Sequence, residues 1–344
     1  MNAARPPSPA HPAPAAAPTA ATVDTGVTAG ARPAPTAEFT TEAHPVDALF
    51  PATAKRLFVE VEPGVRIHAR VCGDGPPLLL IHGHPQTLAI WHRVLPALAE
   101  RFTVVMPDLR GYGDSSKPAG EADHGNYSKR RMALDLVTVM AALGHARFRV
   151  LAHDRGARVA HRMAADHPVA VERLALLDIA PTLAMYEQTT ETFARAYWHW
   201  FFLIQPAPMP ERLIEADPAA YALDVMGRRH AGLSAFDPRA FAEYQRALAL
   251  PGAAHGMCED YRAAAGIDLA HDRADRDAGA KLAMPLRVYW GAQGVVAKCF
   301  DPLKEWRRVA ADVDGGPLPC GHYIPEEAPD ALLAAVMPFL AEGL

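Results

Sequence analysis

The stretch VLAHDRGARVAHRMA, residues 150–164, passes from an apolar run into a helical pattern, with charge crowded at the junction. A strand that meets a helix through so sharp a turn projects the residue at the turn above the sheet. Here that residue is Asp154, and Gly156 two positions on removes the side chain that would hold helix and sheet apart. A carboxylate at a helix N-terminus is stabilised by the dipole and can accept backbone N–H bonds, which keeps it ionised and fit for attack. An Asp in this position is also a common helix N-cap. The stretch by itself therefore leaves two readings of Asp154, nucleophile or cap. Arg155 and Arg158 lie three apart on the first helical turn and point in nearby directions.

Outward from this junction, short apolar runs alternate with helical patterns from residue 57 onward. LFVEV and VRIHARV flank Pro63-Gly64 as a hairpin. The runs PLLLIHG (77–83), FTVVMPD (102–108), RFRVLAHD (147–154), RLALLDIA (173–180) and LRVYWGA (286–292) follow. Their near-continuous Leu and β-branched content predicts parallel strands covered on both faces. SKRRMALDLVTVMAALG (128–144) opens on a Ser N-cap and ends at Gly144, and ALLAAVMPFLAE (331–342) closes the chain as an apolar-faced helix. Residues 181–281 break the rhythm: they are rich in aromatics and prolines, read mostly helical, and divide the core into 46–180 and 282–344. An inserted helical cap at the carboxyl ends of parallel strands would cover the crevice where open α/β sheets hold ligands. Residues 1–45 are Pro/Ala/Thr-rich and read as a disordered leader, because they bury too little apolar surface to offset ordering entropy.

Bulk composition excludes several classes. A net charge of −5 offers no basic footprint for nucleic acid or an anionic membrane. No apolar run reaches the length of a membrane span, and prolines interrupt every stretch a secretory signal would need. The four cysteines are scattered without a C-x-x-C pair, so neither a disulfide framework nor a zinc site is expected, and a reducing cytoplasm fits best. No metal and no cofactor are expected.

LLLIHGHPQT (78–87) and VVMPDLRGYGDSSKP (104–118), placed before the junction, resemble segments of the α/β-hydrolase fold. That resemblance implies a mostly parallel eight-stranded sheet with an inserted cap. It also implies an oxyanion site made by the backbone N–H groups of His84 and Arg155. A general base belongs in a loop before the last helix, and among 16 histidines only His322 sits in a G-H-x-x-P-E-E context. The orienting acid then follows the sixth or seventh strand. After the seventh there is no acid until Asp301, whereas Asp178 ends the sixth, where a buried carboxylate needs a partner such as His322.

The segments HDRGARV, LALLDIAPT, YWHWFFLIQPAP, LSAFDP, MCEDYRA and CGHYIPEEAPD resemble, in order and spacing, the fluoroacetate (haloacetate) dehalogenases of the α/β-hydrolase superfamily. The resemblance runs from about residue 57 to the end. It implies that Asp154 displaces halide to give an aspartyl ester, which water activated by the Asp178–His322 pair then hydrolyses. It implies a small haloacid whose carboxylate is held by Arg155 and Arg158, and a halide held by His199, Trp200 and Tyr261. A homodimer is a further implication, with no interface pattern in this sequence to speak to it. Two positions depart from the family: His84 where Phe is frequent, and GRRHAGLSAF (227–236), which lacks an aromatic that some relatives carry. Epoxide hydrolases share the fold and nucleophile but polarise their substrate with cap tyrosines. A third alternative is a ligand-binding homologue that has lost turnover.

Overall fold

The computed structural model describes residues 35–344. Nine strands form one sheet: β1 (Ala37–Thr40), β2 (Lys55–Glu62), β3 (Val65–Cys72), β4 (Pro77–Ile81), β5 (Thr103–Pro107), β6 (Phe148–His153), β7 (Val171–Leu177), β8 (Leu286–Gly291) and β9 (Val313–Leu318). Their order is β1-β2-β3-β5-β4-β6-β7-β8-β9. β1 to β3 and the β3–β5 pair are antiparallel, and the rest of the sheet is parallel. The α/β-hydrolase fold read from the sequence is the fold observed, with one strand more than the eight expected.

Both strands without a sequence signal have physical reasons for their silence. β1 is only four residues of edge strand, with Phe39 55% exposed, and it comes from the stretch expected to be a disordered leader. Its pairing with β2, from Ala37↔Val59 to Thr40↔Arg56, corrects that expectation for residues 37–40. Pro45–Leu49 then forms a short 3₁₀ turn that buries Val46 and Leu49. Residues 1–34 of the leader lie outside the described residues. β9 reads VDGGPL, a composition depleted in strands. Gly315 is required there, since a Cβ would come within 1.9 Å of the Val288 carbonyl oxygen on β8.

The period-two alternation of a strand divides the core between the two faces of the sheet. Along β4, Leu79 and Ile81 pack with helices Lys129–Ala142 and Asp154–Asp166, and Leu78 and Leu80 pack with helix Pro329–Ala341. All six residues of β6 are buried, so the strand feeding the 153–154 turn is anchored on both sides. Helices between residues 182 and 277 fill the interval between β7 and β8. Among the described residues no helix is long and apolar enough to cross a membrane.

Candidate active site

The turn after β6 places Asp154 at φ 49°, a left-handed conformation that costs a non-glycine residue on the order of 1–3 kcal/mol. Two glycines make room for it. A Cβ on Gly83 would lie 2.5 Å from the Asp154 Cβ, and one on Gly156 would lie 2.2 Å from the His82 carbonyl oxygen. The carboxylate is thereby held between two elements. Oδ1 accepts the His84 backbone N–H at 2.9 Å, and Oδ2 faces His322 Nε2 at 3.8 Å. Burial alone would raise the Asp154 pKa, but the electrostatic influence of His322, His153, Arg158 and Arg155 outweighs it and holds the carboxyl well below the usual range.

His322 Nδ1 lies 2.5 Å from Asp178 Oδ2. Asp178 also sits at positive φ, 53°, and its Oδ1 accepts the Gly291 N–H at 3.0 Å, which ties it to the end of β8. The loop carrying His322 is fixed from below and within. His153 Nε2–H donates to the His322 carbonyl at 2.8 Å, and Glu327 accepts the N–H groups of Gly321 and Tyr323. The next carboxyl in that loop, Glu326, accepts from Tyr244 Oη at 2.9 Å and from Gln86, so it joins the His322 loop to the His84 turn. Burial, only partly opposed by Tyr244, Arg93 and Gln86, pushes its pKa up to about 8. The three expected catalytic residues thus meet; the N-cap position of this helix is His153, and the Asp154 carboxylate accepts the His84 backbone N–H from the neighbouring turn.

Arg155 and Arg158, both buried, differ in their partners. Arg155 donates through Nε to Asp260 Oδ2 and through Nη2 to Asp260 Oδ1, each at 2.9 Å. Its Nη1 is buried with no partner, and its guanidinium lies 3.9 Å over the Tyr261 ring. Asp260 also receives the Tyr112 hydroxyl at 2.7 Å and the Lys129 ammonium. Arg158, 2% exposed, donates to Thr182 Oγ1 at 2.9 Å and the Ala180 carbonyl at 3.3 Å, with Met185 Sδ at 3.1 Å. Among the described residues no carboxylate forms an ion pair with it. Burial, aided by the charge of Arg155, lowers its pKa. The expectation of two free guanidinium forks is therefore revised: one edge of Arg155 is already taken, and Arg158 is the one without an anionic partner.

The three residues expected to hold halide converge from two cap helices, Trp198–Leu203 and Ala253–Ala265. The ring of Tyr261 lies 6.0 Å from His199 and 6.3 Å from Trp200. Trp200 Nε1 and the Tyr261 hydroxyl are buried without partners. A cavity of about 350 Å³ reaches this chamber, with His199 and His322 in its lining and Arg229 and Lys298 among its cationic groups. Asp260, Lys129 and Tyr112 were not singled out in the sequence. The signal available was the depth of the elbow arginine, which demands a counter-carboxylate, and the acid beside Tyr261 in MCEDYRA supplies it.

Two His/carboxylate groups among the described residues have metal-ligand spacing: His44, Asp114 and Glu243, and His68, Asp108 and Asp114. His68 Nδ1 is bonded to Asp108 at 2.7 Å, and His44 Nε2 pairs with Asp114 at 2.8 Å. Asp108 also accepts the Leu88 N–H at 2.8 Å. These bonds brace loops, and neither group contains Asp154, Asp178 or His322.

A family model for the alpha/beta hydrolase fold matches residues 76–298. Over 280 residues the chain is 45% identical to a fluoroacetate dehalogenase of Burkholderia sp, covering 81% of this chain and 91% of that protein. It is 34% identical over 285 residues to a soluble epoxide hydrolase of Corynebacterium sp. (strain C12), covering 81% and 94%. An alpha/beta hydrolase structure from Nostoc sp PCC 7120 superposes with a TM-score of 0.80 at 51% identity, over 84% of this chain and 98% of that one. With its nine-stranded sheet, its turn-borne aspartate and these matches, the chain belongs to the α/β-hydrolase family.

Proposed function

We propose that this hydrolase cleaves the carbon–halogen bond of small haloacetates, fluoroacetate or chloroacetate, to glycolate and halide. One observation carries the reading: a buried guanidinium, Arg158, stands beside the carboxylate turn without an anionic partner. Charge buried in that way costs several kcal/mol unless an anion joins it. A substrate carboxylate meets that need, aided by the unpartnered Nη1 of Arg155. The relative from Burkholderia sp described as a fluoroacetate dehalogenase supports the same assignment.

In this mechanism Asp154 Oδ2 attacks the α-carbon, and the carbon–halogen electron pair leaves with the halide. The buried N–H and O–H donors of His199, Trp200 and Tyr261 stabilise that anion. His322 Nε2, its other nitrogen held by Asp178, then takes a proton from water as the water oxygen adds to the ester carbonyl carbon. The negative charge develops on Oδ1, where the His84 N–H already lies at 2.9 Å, joined by the Arg155 N–H. Collapse breaks the ester bond, the imidazolium returns its proton, and glycolate leaves with Asp154 restored.

Epoxide hydrolysis is the competing reading, favoured by the buried, partnerless Tyr261 hydroxyl and by the relative from Corynebacterium sp. described as an epoxide hydrolase. A neutral epoxide would leave Arg158 unpaired, which weighs against it. The deciding experiment measures fluoride and chloride release from the two haloacetates beside diol formation from a small epoxide, with Asp154→Asn as control. The expected result is halide release from the wild type and a loss of about 10⁴-fold or more in the variant. Diol without halide would replace this assignment, and substrate binding unaffected by the variant with no turnover in either protein would indicate a non-catalytic homologue.

A further inference from the structure

His84 contributes more than its backbone to the chamber. Its side chain is buried, its ring lies parallel to that of His199 at 5.7 Å and 6°, and Tyr261 meets it edge-on at 5.2 Å. Nε2 lies 3.0 Å from the Tyr221 hydroxyl, whereas Nδ1 is buried with no partner. A buried polar atom in that state is costly, and a ligand can relieve the cost. We infer that the His84 imidazole, its Nε2 engaged by Tyr221, adds an Nδ1–H donor to the halide cradle of His199, Trp200 and Tyr261 and favours release of fluoride over chloride. This inference rests on the haloacid reading.

The choice of tautomer follows from the neighbours. The His84 ring neighbours His199 and Tyr261, and the Tyr261 ring in turn neighbours Trp200 and the Arg155 guanidinium. In this group Trp200 Nε1–H, the Tyr261 hydroxyl and Arg155 Nη1 can only donate, or donate readily, and are buried and partnerless. A surplus of donors is satisfied by an anion, which accepts from all sides and donates nothing. With an anion present, a bare Nδ1 lone pair would repel it, so the Nδ1–H form prevails and the Tyr221 hydroxyl donates to Nε2. Tyr221 is then a positioning residue that acts through His84. Burial keeps the imidazole neutral by lowering its pKa to about 3, so it supplies this donor without titrating near neutral pH. Fluoride concentrates its charge on a small, hard ion and gains more from each added donor than chloride does. Loss of one donor should therefore fall more heavily on fluoroacetate.

The test compares His84→Phe, His84→Asn and Tyr221→Phe with the wild type in the full chain. Fluoride and chloride release are followed from the matched acids, and halide binding is followed by the fluorescence of the cradle tryptophan, Trp200. His84→Phe should lower fluoroacetate turnover about 10-fold more than chloroacetate turnover. His84→Asn, which keeps an N–H of similar reach, should recover part of that ratio. Tyr221→Phe should shift the ratio in the same direction as His84→Phe by a smaller factor. Equal losses for the two acids in His84→Phe and Tyr221→Phe, or none, would overturn the inference. If the wild type releases neither halide, the haloacid reading has failed, and the fluorescence titration then decides on its own: weaker fluoride binding in the His84 and Tyr221 variants supports the donor, and unchanged affinity rejects it. Should His84→Phe fail to fold, the other two variants decide by the same ratio and the same titration.

Discussion

The floor of the chamber and its ceiling hold their groups in place by different means. On the floor, Asp154 and Asp178 occupy left-handed backbone conformations, Gly83 and Gly156 have no space for a side chain, and each carboxylate accepts a backbone N–H. In the ceiling, His199, Trp200 and Tyr261 are placed by the packing of aromatic rings on cap helices, and two of them keep a buried donor without a partner. The floor is complete without substrate, whereas the ceiling is satisfied only by an occupant. Such a division suits the proposed reaction, in which a nucleophile must be preorganised and the charge of a leaving group exists only as the bond breaks.

The sharpest way to separate the two is to disable the second half-reaction alone. In the proposed mechanism His322→Asn removes the proton acceptor that the floor supplies to water and leaves the attack of Asp154 and the ceiling intact. One turnover should still occur, followed by arrest with the enzyme esterified. Intact-protein mass spectrometry should show a gain of one carboxymethyl group on each chain, and multiple turnover should fall by about 10³-fold or more. Free, unmodified protein after incubation with substrate would contradict the division of labour between Asp154 and His322.

Arg155 and Arg158 repeat the contrast within one helical turn. Arg155 is tied to Asp260, so Arg155→Met strands a buried carboxylate with Lys129 and Tyr112 as its remaining partners. A loss of about 3 kcal/mol of unfolding free energy is expected. Arg158→Met removes a buried charge with no carboxylate on it, and stability should stay within about 1 kcal/mol of the wild type or rise. Both variants should lose haloacid turnover. Urea unfolding distinguishes them, and a comparable destabilisation by the two substitutions would erase the distinction drawn between a paired arginine and one reserved for substrate.

Legibility followed the same division. The floor was readable because backbone demands leave marks in sequence: Gly156 two positions after Asp154, a carboxylate ending β7, and a histidine in a loop before the last helix. Read from the residues alone, Asp154 remained either nucleophile or cap, and the resemblance to a family supplied the context that placed His199, Trp200 and Tyr261 together. An aromatic stripe on a helix gives no signal of its own that separates packing from binding. The partners of the arginines were illegible for a further reason. Arg155 and Asp260 are 105 positions apart, and their bidentate contact depends on how the cap settles on the sheet. Strand β9 was hidden because its Gly315 answers to the close approach of β8, not to strand propensity.

A smaller effect tests how floor and ceiling are joined. Glu326 links the His84 turn to the His322 loop, and its carboxyl is raised in the folded protein to about 8, against about 4.3 for an unperturbed Glu. A group whose pKa is raised on folding adds stability that is fully present below the unfolded value and is lost as pH rises through the folded one. The contribution of Glu326 should therefore decline between about pH 4 and pH 8. Glu326→Gln keeps the hydrogen-bonding shape without the titration and should flatten that part of the pH–stability curve. A wild-type Tm profile that Glu326→Gln leaves unchanged would show that this carboxyl does not couple folding to pH.

The smallest expected effect lies in the lining of the cavity. Arg229 stands 4.8 Å over the Tyr197 ring, and with Lys298 it lines the route that leads to His199 and His322. The chain as a whole carries −5, so these cations present an anionic substrate with a local field opposite in sign to the net charge. A cleft lined by one sign of charge raises the encounter rate of an oppositely charged ligand and loses that advantage as salt screens it. Replacing Arg229 and Lys298 by Gln should lower kcat/KM for a haloacetate by up to about 10-fold at low ionic strength, with most of the change outside kcat. The two proteins should converge as salt is raised. An equal gap between them at every ionic strength would show that these side chains act by contact with the bound acid and not by steering it.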